Sequence, residues 1–518
     1  MALFVEIETP NLKYEQPLGL FINNEFVKGV EGRTFNTINP HNEQIIASVC
    51  EGTEKDIDIA VIAAREALNG PWRKLPSVDR GKLVLKLADL FERDVNVLAN
   101  IEATDNGKTV AMAAFDVMGS AATLRYYGGW ADKIFGQTID IDENSHTYTR
   151  HEPIGVCGQI IPWNFPILML AWKIGPALAT GNTVVLKPAE QTPLSALYVA
   201  KLIVEAGFPP GVVNIVNGFG TVAGAAISSH MYIGCGSERA LESRPKWEML
   251  TLATADKVAF TGSTAVGREI MAAAAKSNLK KVTLELGGKS PNIVFPDANL
   301  DNALSWVNFG IYYNHGQACS AGSRILVHQD IYEEFLSRFR ERAKLNKVGS
   351  PFAPDTFQGP QISKTQFDRI MRYIEEGKAD GAKLETGGAR LGDAGYYIQP
   401  TIFSNVDESM SIVREEIFGP VCTVQSFKDE DEAIRLANNS AYGLASAVHT
   451  MNANIATRVA NRLQAGTVWI NNYAMVHQQM PFGGYKQSGN GRELGAYALD
   501  NYTQVKTVRQ YLGDAIFG

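Results

Sequence analysis

Apolar residues recur along this chain at two periods, and their alternation predicts the architecture. In IDIAVIAAREALNG, Ile57, Val61, Ala64 and Leu68 fall on one face at helical spacing, and Gly70 ends the run. The stretch 19–26 reads as strand, and the first 130 residues mix such pieces with amphipathic helices. From Ile154 the two periods alternate with short turns between them. IGVCGQII predicts a strand, and LMLAWKIGPALATGN a helix closed by Gly181 and Asn182. TVVLKP predicts the next strand, and PLSALYVAKLIVEAG a helix that opens at Pro193 and ends at Gly207. VVNIVNG and KVAFTG predict further strands, and TAVGREIMAAAAK a further helix. Units of this length imply a mostly parallel sheet covered by helices on both faces, with ligands at the carboxyl ends of its strands. After Glu285 a second α/β region begins, with a helix over 300–313, the strand RILVH and the helix IYEEFLSRFRERAKLN, and it continues to about Gln487. Two polar strand-like pieces, SHTYTRHEPIG and YTQVKTVRQYL, flank this body. Strands of that kind either pair with another subunit's sheet or serve as ordinary edges.

Size and composition narrow the picture. A chain of 518 residues exceeds one compact core, so more than one domain is expected. A net charge of −7 argues against a nucleic-acid partner. No apolar run approaches the roughly 20 residues that span a bilayer, so no membrane partner is expected. The opening MALFVEIETPNLKYE mixes acids with apolar residues and reads as neither a signal nor a transit peptide, which makes the cytoplasm the expected location. Cys50, Cys157, Cys235, Cys319 and Cys422 lie far apart, with no disulfide framework and no CxxC pair for a metal.

Three short stretches carry candidate chemistry. In YNHGQACSAGSR, small residues surround Cys319, leaving room for a substrate at the sulfur and a backbone N–H for an oxyanion. By itself this thiol is a nucleophile or simply a small buried hydrophobe. In VTLELGGKSPN, Glu285 ends a strand before Gly287 and Gly288, a placement suited to a general base in a cleft or to a surface turn. In IIPWNFP, Asn164 stands between Trp163 and Phe165, either to stabilise an oxyanion or to cap a turn. FTGSTAVG joins a strand to a helix through Gly262, Ser263 and Gly267, a turn whose N–H groups suit phosphate. GFGTVAG, with Gly220, matches the dinucleotide fingerprint only loosely. KPAE places Lys187 and Glu190 at a strand's carboxyl end, within reach of ribose hydroxyls.

Taken in order, PWNFP, KPAE, FTGS, LELGGKSPN, GQACSAGSR, EEIFGPV and PFGGYKQSG resemble the NAD-dependent aldehyde dehydrogenase family from about Leu20 to Val505. The resemblance implies a Rossmann-like NAD-binding domain over 1–130 and 154–287, a catalytic α/β domain over 288–487, and an oligomerisation region from 131–153 and 488–518. It implies that Cys319 attacks the aldehyde, that Asn164 and the Cys319 N–H hold the oxyanion, and that Glu285 activates water against the thioester. It also implies that Ile161, Trp163, Lys187, Glu190, Gly220, Gly262, Ser263, Gly267, Glu416 and Phe418 bind NAD. Phe165, Met169, Trp172, Tyr313 and Phe482 correspond to a substrate tunnel, aromatic and uncharged, that favours small apolar aldehydes such as acetaldehyde. A homodimer or homotetramer is expected by the same resemblance. A betaine- or aminoaldehyde-type specificity is the alternative within enzymes. A non-catalytic NAD-binding relative is the alternative outside them, and it would be expected to lack Cys319, Glu285 or Asn164. One departure stands out: about twenty extra residues, YIGCGSERALESRPKWEMLTLAT, lie between His230 and Asp256. They read as a tolerated surface loop, a regulatory element or, the reading favoured here, a translated intron.

Overall fold

A computed structural model describes residues 2–230 and 256–513. The segment 231–255, with the additional residues noted above, lies outside the described residues. The middle of the eight-stranded first sheet is parallel: the strands Lys281–Glu285, Lys257–Thr261, Val156–Ile160, Thr183–Lys187 and Val213–Ile215 lie side by side in that order. Four of them are buried along their full length except at the Lys281 end, as strands covered on both faces must be. Antiparallel additions close both sides. Leu20–Ile22 and Glu25–Val27 follow Val213–Ile215, and Gly489–Asn490 pairs with Leu284 and Glu285 at the other edge.

The helices between these strands begin and end where the local chemistry predicts. Thr53 and Asp56 form a reciprocal capping box at the start of Glu54–Asn69. Gly207, with φ 93°, ends Leu194–Ala206 in a left-handed cap. The helix Pro166–Ala179 is apolar all round and buried at every position but Leu168, and its one charged residue is Lys173. An uncapped, enclosed helix of this kind is held by packing rather than by its own propensity.

The second sheet runs Lys383–Thr386, Thr401–Ser404, Val421–Phe427, Arg324–His328, Pro291–Val294, Ala445–His449 and Thr467–Ile470, parallel except at its first pair. The two polar flanking pieces pair with each other: Ser145–Pro153 lies antiparallel to Thr503–Tyr511 over nine residue pairs. Together with Thr138–Ile139 they form a separate three-stranded sheet. Among the described residues no helix is long and apolar enough to cross a membrane.

Candidate active site

Four strands of the first sheet end at one rim, at Ile160, Lys187, Thr261 and Glu285. The second α/β unit adds the turn that precedes strand Arg324–His328, and Cys319 sits in that turn. A cavity of about 330 Å³ lies between them. Of the residues named from sequence, Cys319, Glu285, Asn164, Trp163, Gly262, Ser263, Glu416, Phe418, Phe165, Met169, Trp172, Tyr313 and Phe482 line it. Ile161, Lys187, Glu190, Gly220 and Gly267 do not; they lie along the rim beyond it.

The nucleophile turn is tightly determined. Asn314, His315 and Gly316 all have positive φ, and a side chain at Gly316 would come within 2.1 Å of the Gly419 carbonyl. The Tyr473 hydroxyl donates to the Ser320 carbonyl at 2.7 Å. The glycine pair after Glu285 has a steric cause. A Cβ on Gly288 would lie 2.4 Å from the Cys319 carbonyl, and one on Gly287 would lie 2.1 Å from Glu416 Oε2. Only bare backbone lets the strand end of Glu285 meet the Cys319 turn and the Glu416 carboxylate together.

Asn164 is fixed from both ends. Its Nδ2 donates to the Gln317 carbonyl at 2.8 Å, two residues before Cys319. Its own carbonyl accepts from Lys108 Nζ at 3.1 Å and Asn314 Nδ2 at 3.0 Å, and Asn106 Nδ2 donates to the Trp163 carbonyl at 2.7 Å. Lys108 is fully buried, donates to Asp116 Oδ2 at 2.6 Å, lies 3.6 Å from Glu102 and sits 4.6 Å above the Phe165 ring. Asn106, Lys108, Asp116 and Asn314 went unnamed in the sequence reading. Their roles depend on contacts some fifty residues apart or more, which no local pattern displays.

Electrostatics follow from burial. Apolar surroundings push the Glu285 carboxyl up to about 8, opposed by the Lys173 ammonium and by its contact with Cys319. The Cys319 thiol is also held well above its ordinary value, first by burial and then by the Glu285 and Glu416 carboxylates. Glu285 Oε1 has no hydrogen-bond partner among the described residues, so it remains open to a water or a reacting group. Lys173 donates to Thr261 Oγ1 at 2.8 Å and to Glu493, giving the buried cation of the apolar helix its counter-charge. A lone lysine in an apolar helix was the signal for such a partner.

The wall beyond Cys319 is aromatic. Phe165 and Phe309 stack on Tyr313 with ring centres 5.9 and 4.8 Å apart, and Trp172 meets Phe482 edge-on at 5.6 Å. The expectation of an uncharged wall needs one correction: Asp116 lines the cavity, tied to Lys108 and accepting from the Tyr313 hydroxyl at 3.3 Å. Its charge is thus matched by a buried cation, not presented alone.

On the other side, Glu416 Oε1 accepts from the Gly288 N–H at 3.0 Å. Phe418 adopts φ 62°, its carbonyl held by Gln366 Nε2 at 2.8 Å, and its ring meets Trp163 edge-on at 5.2 Å. Further along the rim, the helix Thr264–Lys276 starts at Ser263, which accepts from the Val266 N–H. Gly220 faces open space, and Lys187 Nζ is shared by the Pro188 and Gly218 carbonyls and Glu190. A helix start, an open glycine and the Glu190 and Glu416 carboxylates are groups that could hold a dinucleotide, phosphate at the helix and ribose hydroxyls at the carboxylates.

The sequence profile of the aldehyde dehydrogenase family matches residues 26–237 and 246–508, with its break inside the segment 231–255. An aldehyde dehydrogenase of Emericella nidulans is 66% identical over 515 residues, 99% of each chain. The NAD+ complex of an aldehyde dehydrogenase from Bacillus cereus has a TM-score of 0.91 and 50% identity, covering 98% of this chain and 100% of that one. A betaine aldehyde dehydrogenase from Staphylococcus aureus in complex with NAD+ has a TM-score of 0.90 and 40% identity, covering 97% and 96%.

Proposed function

This chain belongs to the aldehyde dehydrogenase family and uses NAD, and from that premise we propose that it oxidises small apolar aldehydes, acetaldehyde first among them, through a thioester on Cys319. The observation that carries the proposal is the meeting of one thiol, one open carboxyl oxygen and one fixed side-chain amide in a single aromatic cavity.

Cys319 sulfur adds to the aldehyde carbon as its thiolate, the thiol proton passing to solvent, so that Glu285 is not needed for this step. The developing oxyanion is held by Asn164 Nδ2, which exchanges the Gln317 carbonyl for the charged oxygen, and by the Cys319 N–H. Bound NAD supplies the hydride acceptor, by which the thiohemiacetal becomes a thioester. Glu285 then draws a proton from water at its free Oε1, and the hydroxyl oxygen releases the carboxylate from sulfur. Glu190 disfavours a 2′-phosphate by charge, in keeping with NAD. The first sheet forms the cofactor-binding unit, and the second carries the nucleophile. Self-association into a dimer or tetramer uses the small sheet, whose outer strand Thr503–Tyr511 is paired on one side only among the described residues and exposes Val505 and Tyr511.

A second reading has its own support. An aromatic wall suits a quaternary ammonium, so a betaine- or aminoaldehyde would also be accommodated. Steady-state NADH formation from acetaldehyde and from betaine aldehyde separates the two, with Cys319→Ala as control. A higher kcat/KM for acetaldehyde is expected; preference for betaine aldehyde would move the assignment, and turnover by the control would overturn the mechanism.

A further inference from the structure

Beside Lys289, which follows the Gly287–Gly288 turn, lies a second and much smaller pocket. It has a volume of about 10 Å³, room for a single small ion or one water. Lys289, Ser290, Arg324 and Ser446 line it, and no aspartate or glutamate does. Lys289 Nζ is fully buried and makes no hydrogen bond or ion pair among the described residues. Ser446 Oγ is likewise buried without a partner, whereas Ser290 Oγ interacts with the Tyr473 hydroxyl. Arg324 shares the wall but is already committed: its three donor nitrogens go to the carbonyls of Lys289, Leu436 and Ala437 at 2.9, 2.9 and 2.7 Å.

We propose that this pocket is a binding site for a small monovalent anion of chloride size, held by Lys289 Nζ with the hydroxyl of Ser446. An unpaired buried ammonium costs several kcal/mol unless a counter-charge relieves it. Here the second cation of the wall, Arg324, adds to that cost. The carboxyl groups around Lys289 are Glu416 and Glu415, and neither pairs with it. Glu416 instead accepts from Gly288 and faces the cofactor rim. With no anion present, burial and Arg324 push Lys289 down to about 7, so an occupant of opposite charge also keeps it protonated. Oxyanions such as sulfate or phosphate exceed the space. The ammonium can only donate, and the Ser446 hydroxyl can turn its proton toward the occupant, so both suit an anion.

Crystals of the NAD-bound enzyme grown with bromide in place of chloride test the proposal directly. An anomalous bromine peak within hydrogen-bond reach of Lys289 Nζ is expected, and none in Lys289→Met. A lone water there and no peak would mean a neutral lysine and would overturn it. In solution, chloride replacing gluconate at constant ionic strength should raise the melting midpoint by about 1–2 °C in wild type and not in Lys289→Met. A bromine peak without this chloride dependence would mean binding at crystal concentration only, and would equally overturn it. Should Lys289→Met fail to fold, Ser446→Ala keeps the charge and removes one donor. It is expected to raise the chloride needed for half the effect about tenfold, and an unchanged requirement would count against the site.

Discussion

Replacing Glu285 with glutamine should stabilise the fold near neutral pH, and by an amount that depends on pH. Burial holds this carboxyl up to about 8 against an ordinary value of 4.5. Between those values the unfolded chain releases a proton that the folded one retains. The stability linked to a raised carboxyl is therefore complete below 4.5 and is lost as pH climbs toward 8. At about 1.4 kcal/mol per unit, the loss is about 3 kcal/mol at pH 7 and under about 1 kcal/mol at pH 5. Glutamine keeps the shape and never ionises, so it escapes the loss. Thermal or denaturant unfolding of both proteins across that range measures the difference. The variant should gain most at pH 7 to 8 and almost nothing at pH 5. A difference independent of pH, or a variant less stable than wild type at pH 8, would refute the reasoning. It would mean that Lys173 outweighs desolvation and holds Glu285 ionised in the native state.

Three further outcomes follow from the site. Asn164→Ala should lower kcat about 10²- to 10³-fold while leaving NAD affinity, read by fluorescence titration, unchanged. Lys108→Met leaves Glu102 and Asp116 buried without their cation and should cost about 3–5 kcal/mol in denaturant unfolding, part of it regained by adding Asp116→Asn. Glu190→Gln should move the NAD-to-NADP ratio of kcat/KM about tenfold toward NADP, measured with one aldehyde and both cofactors.

The fold was legible because its strands and helices announce themselves locally: Pro193 and Gly207 bracket a helix, and the short, mostly apolar runs Val156–Ile160 and Thr183–Lys187 suit enclosed strands. The ordered motifs likewise led to Cys319, Glu285 and Asn164. Partners across the chain stayed hidden. Lys108 reaches Asn164 across 56 positions, and Lys173 reaches Glu493 across 320, distances at which periodicity carries no information. The flanking strands were visible as strands, but their pairing with each other, across the whole span from Pro153 to Thr503, was not. Asp116 in the cavity wall was missed because its contact with Tyr313 spans 197 positions. A lone carboxylate there is unexpected until Lys108 beside it is seen.

Under the proposed mechanism, turnover passes through a thioester on Cys319 that Glu285 hydrolyses. Intact-protein and peptide mass spectrometry of Glu285→Gln, quenched after mixing with NAD and acetaldehyde, tests it most directly. An acetyl group accumulating on the peptide that holds Cys319, and absent from Cys319→Ala, is the predicted result. An acetyl group on another residue, or an unlabelled variant that still forms NADH at the wild-type steady rate, would contradict it.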